Sequence, residues 1–156
     1  MCNNYRNLSE GDRAQGSQSG VYQCDDNLVP GWYRFQGAAG NRIADKCVLG
    51  EHCSAGFSGW MPGNHPTVAE GVVTRTVCYH FTVFHDCCRL RSYISVKNCG
   101  GYFVYEFKKP PAVRCPFRYC GNGHGNGSSG KPPFRTEMSR IERKFLMTSI
   151  TKCPHR

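Results

Sequence analysis

The sequence predicts a small, mainly β domain crosslinked by disulfides, and three observations carry this prediction. Eleven cysteines stand in 156 residues, a density typical of domains that fold in an oxidising compartment. Eighteen glycines and nine prolines divide the chain into short pieces, which favours short strands and turns over long helices. Many of the remaining apolar residues fall in short β-branched and aromatic runs. We therefore expect a single domain of short strands and long loops, with some α-helix at most.

Four segments have the composition of strands. They are residues 31–35, 72–77, 93–97 and 102–107. In the third segment Ile94 and Val96 alternate with polar residues, as in a strand with one buried face. The residues between the third and fourth segments are rich in Asn and Gly, so we expect a hairpin with Cys99 at its turn.

Composition divides the chain into a body, a linker and a tail. Residues 1–120 contain all the strand-like segments, and residues 121–136 are rich in Gly, Asn, Ser and Pro, as in a flexible linker. In residues 137–156, Met138, Ile141 and Phe145 recur at helical spacing among basic residues. A helix this short is marginal in water. We expect a basic tail that is flexible or forms one short amphipathic helix.

The net charge of +9 is unevenly distributed along the chain. Residues 1–120 hold 13 basic and 9 acidic side chains, whereas residues 121–156 hold 7 and 2. The body is thus only mildly basic, which favours an ordinary solvated surface and gives no reason to expect nucleic acid as a partner. A basic polyanion-binding module, or one stabilised by zinc, remains the alternative.

Two absences in the sequence bear on location. No segment approaches the ~20 apolar residues of a membrane span, so we expect no direct membrane span. Residues 1–20 lack the apolar core of a signal peptide, although dense cysteine indicates a secreted or cell-surface protein. We therefore expect a fragment of a longer, multidomain extracellular chain.

Ten of the eleven cysteines lie in the body, an even number that allows five internal disulfides. Cys153 lies alone in the tail, where we expect a free thiol or an intermolecular bond. The adjacent Cys87 and Cys88 would point to opposite sides of an extended strand, so they should bond to two different partners.

Several motifs resemble the eight-to-ten-cysteine extracellular domain of the uromodulin family, which includes the pancreatic zymogen-granule membrane glycoprotein and the liver oncoprotein-induced transcript. They are CNNYRNLSE (2–10), GWYRFQGAAGNRI (31–43), HPTVAEGVVTRTVC (65–78), the Cys87–Cys88 pair, CGGYFVYEF (99–107) and RYC (118–120). The resemblance covers residues 2–120. It implies the pairs Cys2–Cys99, Cys24–Cys115, Cys47–Cys87, Cys53–Cys120 and Cys78–Cys88, and a non-catalytic module for recognition or adhesion whose partners are extracellular proteins, carbohydrates or lectins.

Two triplets fit the N-glycosylation acceptor pattern, beginning at Asn7 and at Asn126. Some relatives carry an acceptor just before His-Pro-Thr, but here Asn64 is followed by His65 and Pro66, which form none. Any displayed glycan should therefore lie at Asn7 or Asn126.

The remaining chemistry-bearing residues do not form a familiar site. Cys78 with His80, and His85 with Cys87 and Cys88, are neighbours that suggest zinc, yet no Cys-x-x-Cys pair exists. The sequence has no Gly-x-Ser-x-Gly element, and we expect no catalytic residue, no metal and no cofactor. Trp60, beside Gly59, Pro62 and Gly63, is the aromatic residue we expect at a ligand surface.

Overall fold

The computed structural model describes residues 1–108 and 117–125. Its seven strands are β1 (Arg6–Leu8), β2 (Trp32–Phe35), β3 (Phe57–Trp60), β4 (Val72–Phe81), β5 (Asp86–Asn98), β6 (Phe103–Glu106) and β7 (Phe117–Tyr119). The helical segments of the described residues are single 3₁₀ turns at Gly11–Arg13, Gly37–Ala39 and Thr82–Phe84. The prediction of a mainly β domain is confirmed. The tail, with its predicted helix, Asn126 and Cys153, lies outside the described residues.

All seven strands form one sheet in the order β1-β2-β6-β5-β4-β3-β7. The long β4–β5 hairpin lies at its centre and pairs Val72 with Lys97 at one end and Phe81 with Asp86 at the other. The predicted hairpin of β5 and β6 is present, and the backbone N–H of Cys99 donates to the carbonyl of Tyr102 across its turn at 2.8 Å. The other strands extend this centre through β1–β2 and β3–β7 pairs, which are parallel.

Strands β1, β3 and β7 were not anticipated from the sequence. Each has only three or four residues, and parallel pairing depends on chain segments far apart in sequence. In β3, a Cβ on Gly59 would lie 2.9 Å from the carbonyl oxygen of Arg118 and 2.9 Å from the Tyr79 ring. This glycine therefore permits close approach of neighbouring strands within the sheet.

The main core is built from aromatic side chains. Its fully buried rings are Phe35, Phe57, Tyr79, Tyr105, Phe117 and Tyr119. Many of them pack in stacked or edge-on pairs, such as Phe107 over Tyr119 with centroids 4.1 Å apart, an arrangement that adds to the burial of apolar area. A second, smaller cluster contains Ala44, Val48, Ala55 and the buried Cys53 and Cys120. Large rings thus fill an interior that has few leucines.

Four disulfides connect the described residues. They are Cys2–Cys99, Cys47–Cys87, Cys53–Cys120 and Cys78–Cys88, which are four of the five pairs that the resemblance implies. Cys24 is also disulfide-bonded, but Cys115, its implied partner, lies outside the described residues. The adjacent Cys87 and Cys88 bond to different partners and so attach both the loop at Cys47 and strand β4 to the start of β5.

Residues 121–125, which composition assigns to a linker, are hydrogen-bonded to the body. The N–H of Gly121 donates to the backbone carbonyl of Arg13 at 2.9 Å, and the Gly121 carbonyl accepts from the N–H of Gln15 at 2.8 Å. Further along, the N–H of Gly123 donates to the Ala39 carbonyl at 3.0 Å. A Cβ on Gly121 would collide with the Ala39 carbonyl oxygen, and a Cβ on Gly123 would collide with the carbonyl oxygen of Ala38. At these positions glycine serves close backbone approach, which composition does not distinguish from flexibility.

Candidate recognition surface

The acceptor triplet at Asn7 lies on the edge strand β1. Leu8 is buried in the main core, whereas Asn7 and Ser9 are exposed. This alternation follows from the two-residue period of a strand. β1 is an end strand of the sheet and pairs with β2, where Asn7 lies opposite Arg34. The acceptor asparagine is therefore held at a fixed position and points away from the core.

A cleft lies beside the acceptor strand. It has a volume of about 310 Å³ and is lined by Asn4, Tyr5, Arg6, Pro30, Gly31 and Trp32. Arg6 Nη1 donates to the Pro30 carbonyl at 3.3 Å across it. A Cβ on Gly31, whose φ is +143°, would lie 2.8 Å from the same guanidinium nitrogen. The cleft thus combines aromatic groups with a few polar ones, as ligand sites commonly do.

The segment before β1 is fixed by stacked side chains. The Arg34 guanidinium lies 3.9 Å from the ring centroid of Tyr102 and 5.7 Å from that of Tyr5, and its Nη1 donates to the Tyr5 hydroxyl at 2.9 Å. The Tyr102 hydroxyl donates to the Cys2 carbonyl at 2.6 Å. Cation–π contacts and the Cys2–Cys99 disulfide together hold one wall of the cleft.

The loop that contains Asn64 has an exposed tip and a buried base. Asn64 is exposed, but His65 packs 4.4 Å from the Phe103 ring and its Nε2 lies 2.9 Å from the Tyr105 hydroxyl. Burial, aided by the charge of Arg42, lowers the pKa of His65 to about 4. His65 is half-buried and Pro66 is buried, and the Pro66 carbonyl accepts from Asn98 Nδ2 at 2.9 Å.

Trp60, the residue expected at a ligand surface, is half-buried. Its Nε1 donates to the Cys87 carbonyl at 2.8 Å, and its ring packs against the second cluster. The indole therefore contributes to the scaffold. The aromatic residue that sequence reasoning missed is Tyr93, which is 59% exposed on β5. The alternation that buries Ile94 and Val96 would have placed Tyr93 on the opposite, solvent side.

The neighbours that suggested zinc are engaged in other bonds. His80 lies with the sulfurs of Cys47 and Cys87 within 4.8 Å of one another, but those sulfurs form a disulfide and offer no thiolate to a metal. His80 is buried, and its Nδ1 accepts from the N–H of Gly50 at 2.9 Å. Cys78 and Cys88 are likewise joined to each other, and His85 is exposed in a left-handed turn.

The crosslinked sheet, its outward-facing acceptor and its fixed loops define a disulfide-stabilised β module of the extracellular type. A family model described as a uromodulin-like domain matches residues 33–121. The chain belongs to this family, so the resemblance inferred from its cysteine order and motifs is confirmed.

Similar full-length proteins include uromodulin and a pancreatic glycoprotein. The chain is 41% identical over 121 residues to uromodulin of Mus musculus, which covers 76% of this chain and 18% of that protein. It is 39% identical over 120 residues to pancreatic secretory granule membrane major glycoprotein GP2 of Canis lupus familiaris, and 37% identical over 120 residues to that of Homo sapiens. These matches cover 76% of this chain and 23% and 21% of the relatives. The chain thus spans about a fifth of their length.

Membership of this family places the chain among extracellular proteins that are secreted or displayed at the cell surface. Within residues 1–108 and 117–125, no helix has the length and apolar character needed to traverse a lipid bilayer.

Proposed function

We propose that this domain is a non-catalytic extracellular recognition module, which presents a glycan at Asn7 and the adjacent cleft to a lectin or another extracellular protein. One observation carries the proposal. On the edge strand β1, Leu8 anchors the backbone in the core while Asn7 and Ser9 of the acceptor triplet both face solvent. A glycan attached there would extend from a rigid sheet and not from a loose terminus.

The position of Asn7 also suits the needs of an edge strand. An end strand exposes unpaired backbone groups that invite pairing with other chains, and bulky polar substituents discourage it. A glycan at Asn7 would shield β1 and keep the cleft open beside it. The name of the pancreatic relative describes a glycoprotein, which agrees with a role in which attached sugar is presented.

Glycopeptide mapping of the secreted protein tests the first half of the proposal. We expect a glycan at Asn7, its loss in Asn7→Gln and its retention in Asn3→Gln. Asn3 is an exposed asparagine of the same segment that lies outside any acceptor triplet, so it controls for the substitution itself. An unoccupied Asn7 in protein secreted from glycosylating cells would contradict the proposal.

Binding of a mannose-specific lectin tests the second half. Secreted protein with high-mannose glycans should bind, and Asn7→Gln should reduce this binding to the level due to Asn126. Pro62→Asn with Asn64→Thr builds an acceptor in front of His65 and leaves the half-buried His65 and the buried Pro66 intact, so it should restore binding. Strong binding that survives loss of all glycans would instead indicate a direct protein surface.

If binding survives the loss of all glycans, Trp32→Ala tests whether the cleft is the protein surface that binds, because Trp32 lines it. Truncation of Trp60 is a less specific test, since its hydrogen bond to Cys87 links it to the scaffold.

A further inference from the structure

The outer face of β5 carries a row of basic and aromatic side chains. We call it the basic row, and it consists of Arg89, Arg91, Tyr93 and Lys97. The first three are exposed and Lys97 is half-buried, whereas Ile94 and Val96 between them are buried. Alternate residues of a strand share a face, so the row points away from the aromatic core.

Uncharged residues lie beside the row on β4. Arg91 pairs with Cys78, Tyr93 with Thr76, and Lys97 with Val72. On the other side, Glu106 of β6 lies opposite Ser95 and accepts a hydrogen bond from its hydroxyl at 2.9 Å. Glu106 is therefore an acidic group beside the row, at a position along the strand between Tyr93 and Lys97.

Two charges of this row, those of Arg91 and Lys97, differ from four other arginines of the protein in their partners. Arg13, Arg42, Arg75 and Arg118 each form an ion pair with a carboxylate. Among residues 1–108 and 117–125, Arg91 and Lys97 form none within 4 Å, and Arg91 Nε instead lies 3.3 Å from the sulfur of Cys88. Their positive charge is thus available to an external anion.

We propose that the basic row binds a linear sulfated polysaccharide of the glycosaminoglycan class along β5. Strand residues advance about 3.3 Å each, so Arg91 and Lys97 lie roughly 20 Å apart on one line, a spacing that suits an extended chain with repeated anionic groups. Tyr93 between them offers a ring face to a sugar and a hydroxyl for hydrogen bonding. Sulfated polysaccharides are abundant polyanions outside cells, where this domain is located.

Affinity chromatography and calorimetry on heparin, with the full chain, test the proposal. Arg91→Gln with Lys97→Gln removes two charges from the row and should weaken binding about tenfold, because each exposed charge contributes roughly threefold. The matched control is Arg42→Gln with Arg75→Gln, which removes the same charge from two arginines that are ion-paired with Asp45 and Glu70. Arg42 lies outside the strands, and Arg75 lies opposite the buried Ile94, on the other face of the sheet. Glu106→Gln should strengthen binding about threefold.

Three further arms separate the outcomes. Desulfated heparin should bind at least about tenfold more weakly, and binding to native heparin should fall as salt is raised. Equal losses in the row variant and the control would show a general field of positive charge and overturn the proposal. If neither double variant weakens heparin binding, the binding is due to the basic tail, which would also overturn the proposal. Anionic phospholipid vesicles that compete with heparin through the same residues would indicate a membrane surface instead.

Discussion

Arg13 and Asp25 form a buried bidentate ion pair that joins three separate parts of the chain. The Arg13 Nη1 and Nη2 atoms lie 2.8 and 2.9 Å from the two carboxylate oxygens of Asp25. Asp25 also accepts from the N–H of Tyr119 at 2.8 Å, and Arg13 donates to the Tyr119 carbonyl at 3.0 Å. Burial acts to lower the pKa of Arg13, but the hydrogen bond and charge of Asp25 outweigh it, so the pKa is raised. The pair thus fixes strand β7 against the N-terminal 3₁₀ turn.

Asp25→Asn should therefore destabilise the domain by about 3–5 kcal/mol, because it leaves the buried guanidinium of Arg13 with only the exposed carboxylate of Glu10, 3.5 Å from its Nε, as a counter-charge. Its neighbour Asp26 is exposed, so Asp26→Asn is a matched control, expected within about 0.5 kcal/mol of the parent. Denaturant unfolding under oxidising conditions measures both. A loss of less than 1 kcal/mol for Asp25→Asn would show that the ion pair contributes little beyond the aromatic core around it.

Local patterns predicted the centre of the sheet but not its edges. The segment 72–77 and the alternation at Ile94 and Val96 identified β4 and β5, because both strands bury one face of a long hairpin. By contrast, β1 and β7 have three residues each and are held by partners far away in sequence. No periodic pattern exists over three residues, so tertiary context alone defines such strands.

The candidate surface was predictable to a similar degree. The acceptor at Asn7 is a local motif, although only the sheet shows that Asn7 faces outward while Leu8 is buried. The ion pair of Arg13 with Asp25 has no sequence signature, since an Arg and an Asp twelve positions apart are common and their burial depends on the fold. Trp60 shows the same limit, because its burial depends on the fold, whereas the exposure of Tyr93 follows from the alternation within β5.

Substitutions of two glycines should distinguish a docked segment from a flexible linker. Gly121→Ala would bring a Cβ against the Ala39 carbonyl and the Phe35 ring, so we expect the melting temperature to fall by several degrees, the equivalent of about 1 kcal/mol or more. Gly101→Ala is the control, because a Cβ there meets nothing within 4 Å.

Truncation gives a second test of the same segment. A chain ending at residue 125 should have the same melting temperature as the full chain. A chain ending at residue 120 loses the hydrogen bonds of Gly121 and Gly123, so its melting temperature should be lower. Equal melting temperatures for the two truncations would show that residues 121–125 do not contribute to stability.

A reductant should unfold the domain, whereas a metal chelator should not. We predict five disulfides, including Cys24–Cys115, and one free thiol at Cys153 in protein made in an oxidising compartment. Loss of one native disulfide costs about 2–5 kcal/mol in a small secreted domain, so reduction should unfold the body. A metal chelator should leave its melting temperature unchanged. Alkylation and mass spectrometry count the thiols, and unfolding by chelator with disulfides intact would favour the zinc-stabilised alternative.

Acid should weaken the domain through His65 before it protonates most carboxylates. The Tyr105 hydroxyl accepts from the N–H of Ile43 at 3.1 Å and lies 2.9 Å from His65 Nε2. Burial, with the positive charges of Arg42 and Arg75, lowers the pKa of His65 from 6.5 to about 4 in the folded state.

The unfolded chain therefore binds a proton at His65 at a higher pH than the folded domain does. The stabilisation is complete above pH 6.5 and is lost as the pH falls towards 4, about 1–2 kcal/mol after allowance for the partial exposure of the ring. We expect the melting temperature to decline over this interval in the parent and in His124→Gln, which alters an exposed histidine. His65→Gln retains a hydrogen-bonding side chain for Tyr105 without a titrating group, so its melting temperature should be flatter between pH 6.5 and 4.5. The same decline in all three proteins would assign the acid sensitivity to other groups.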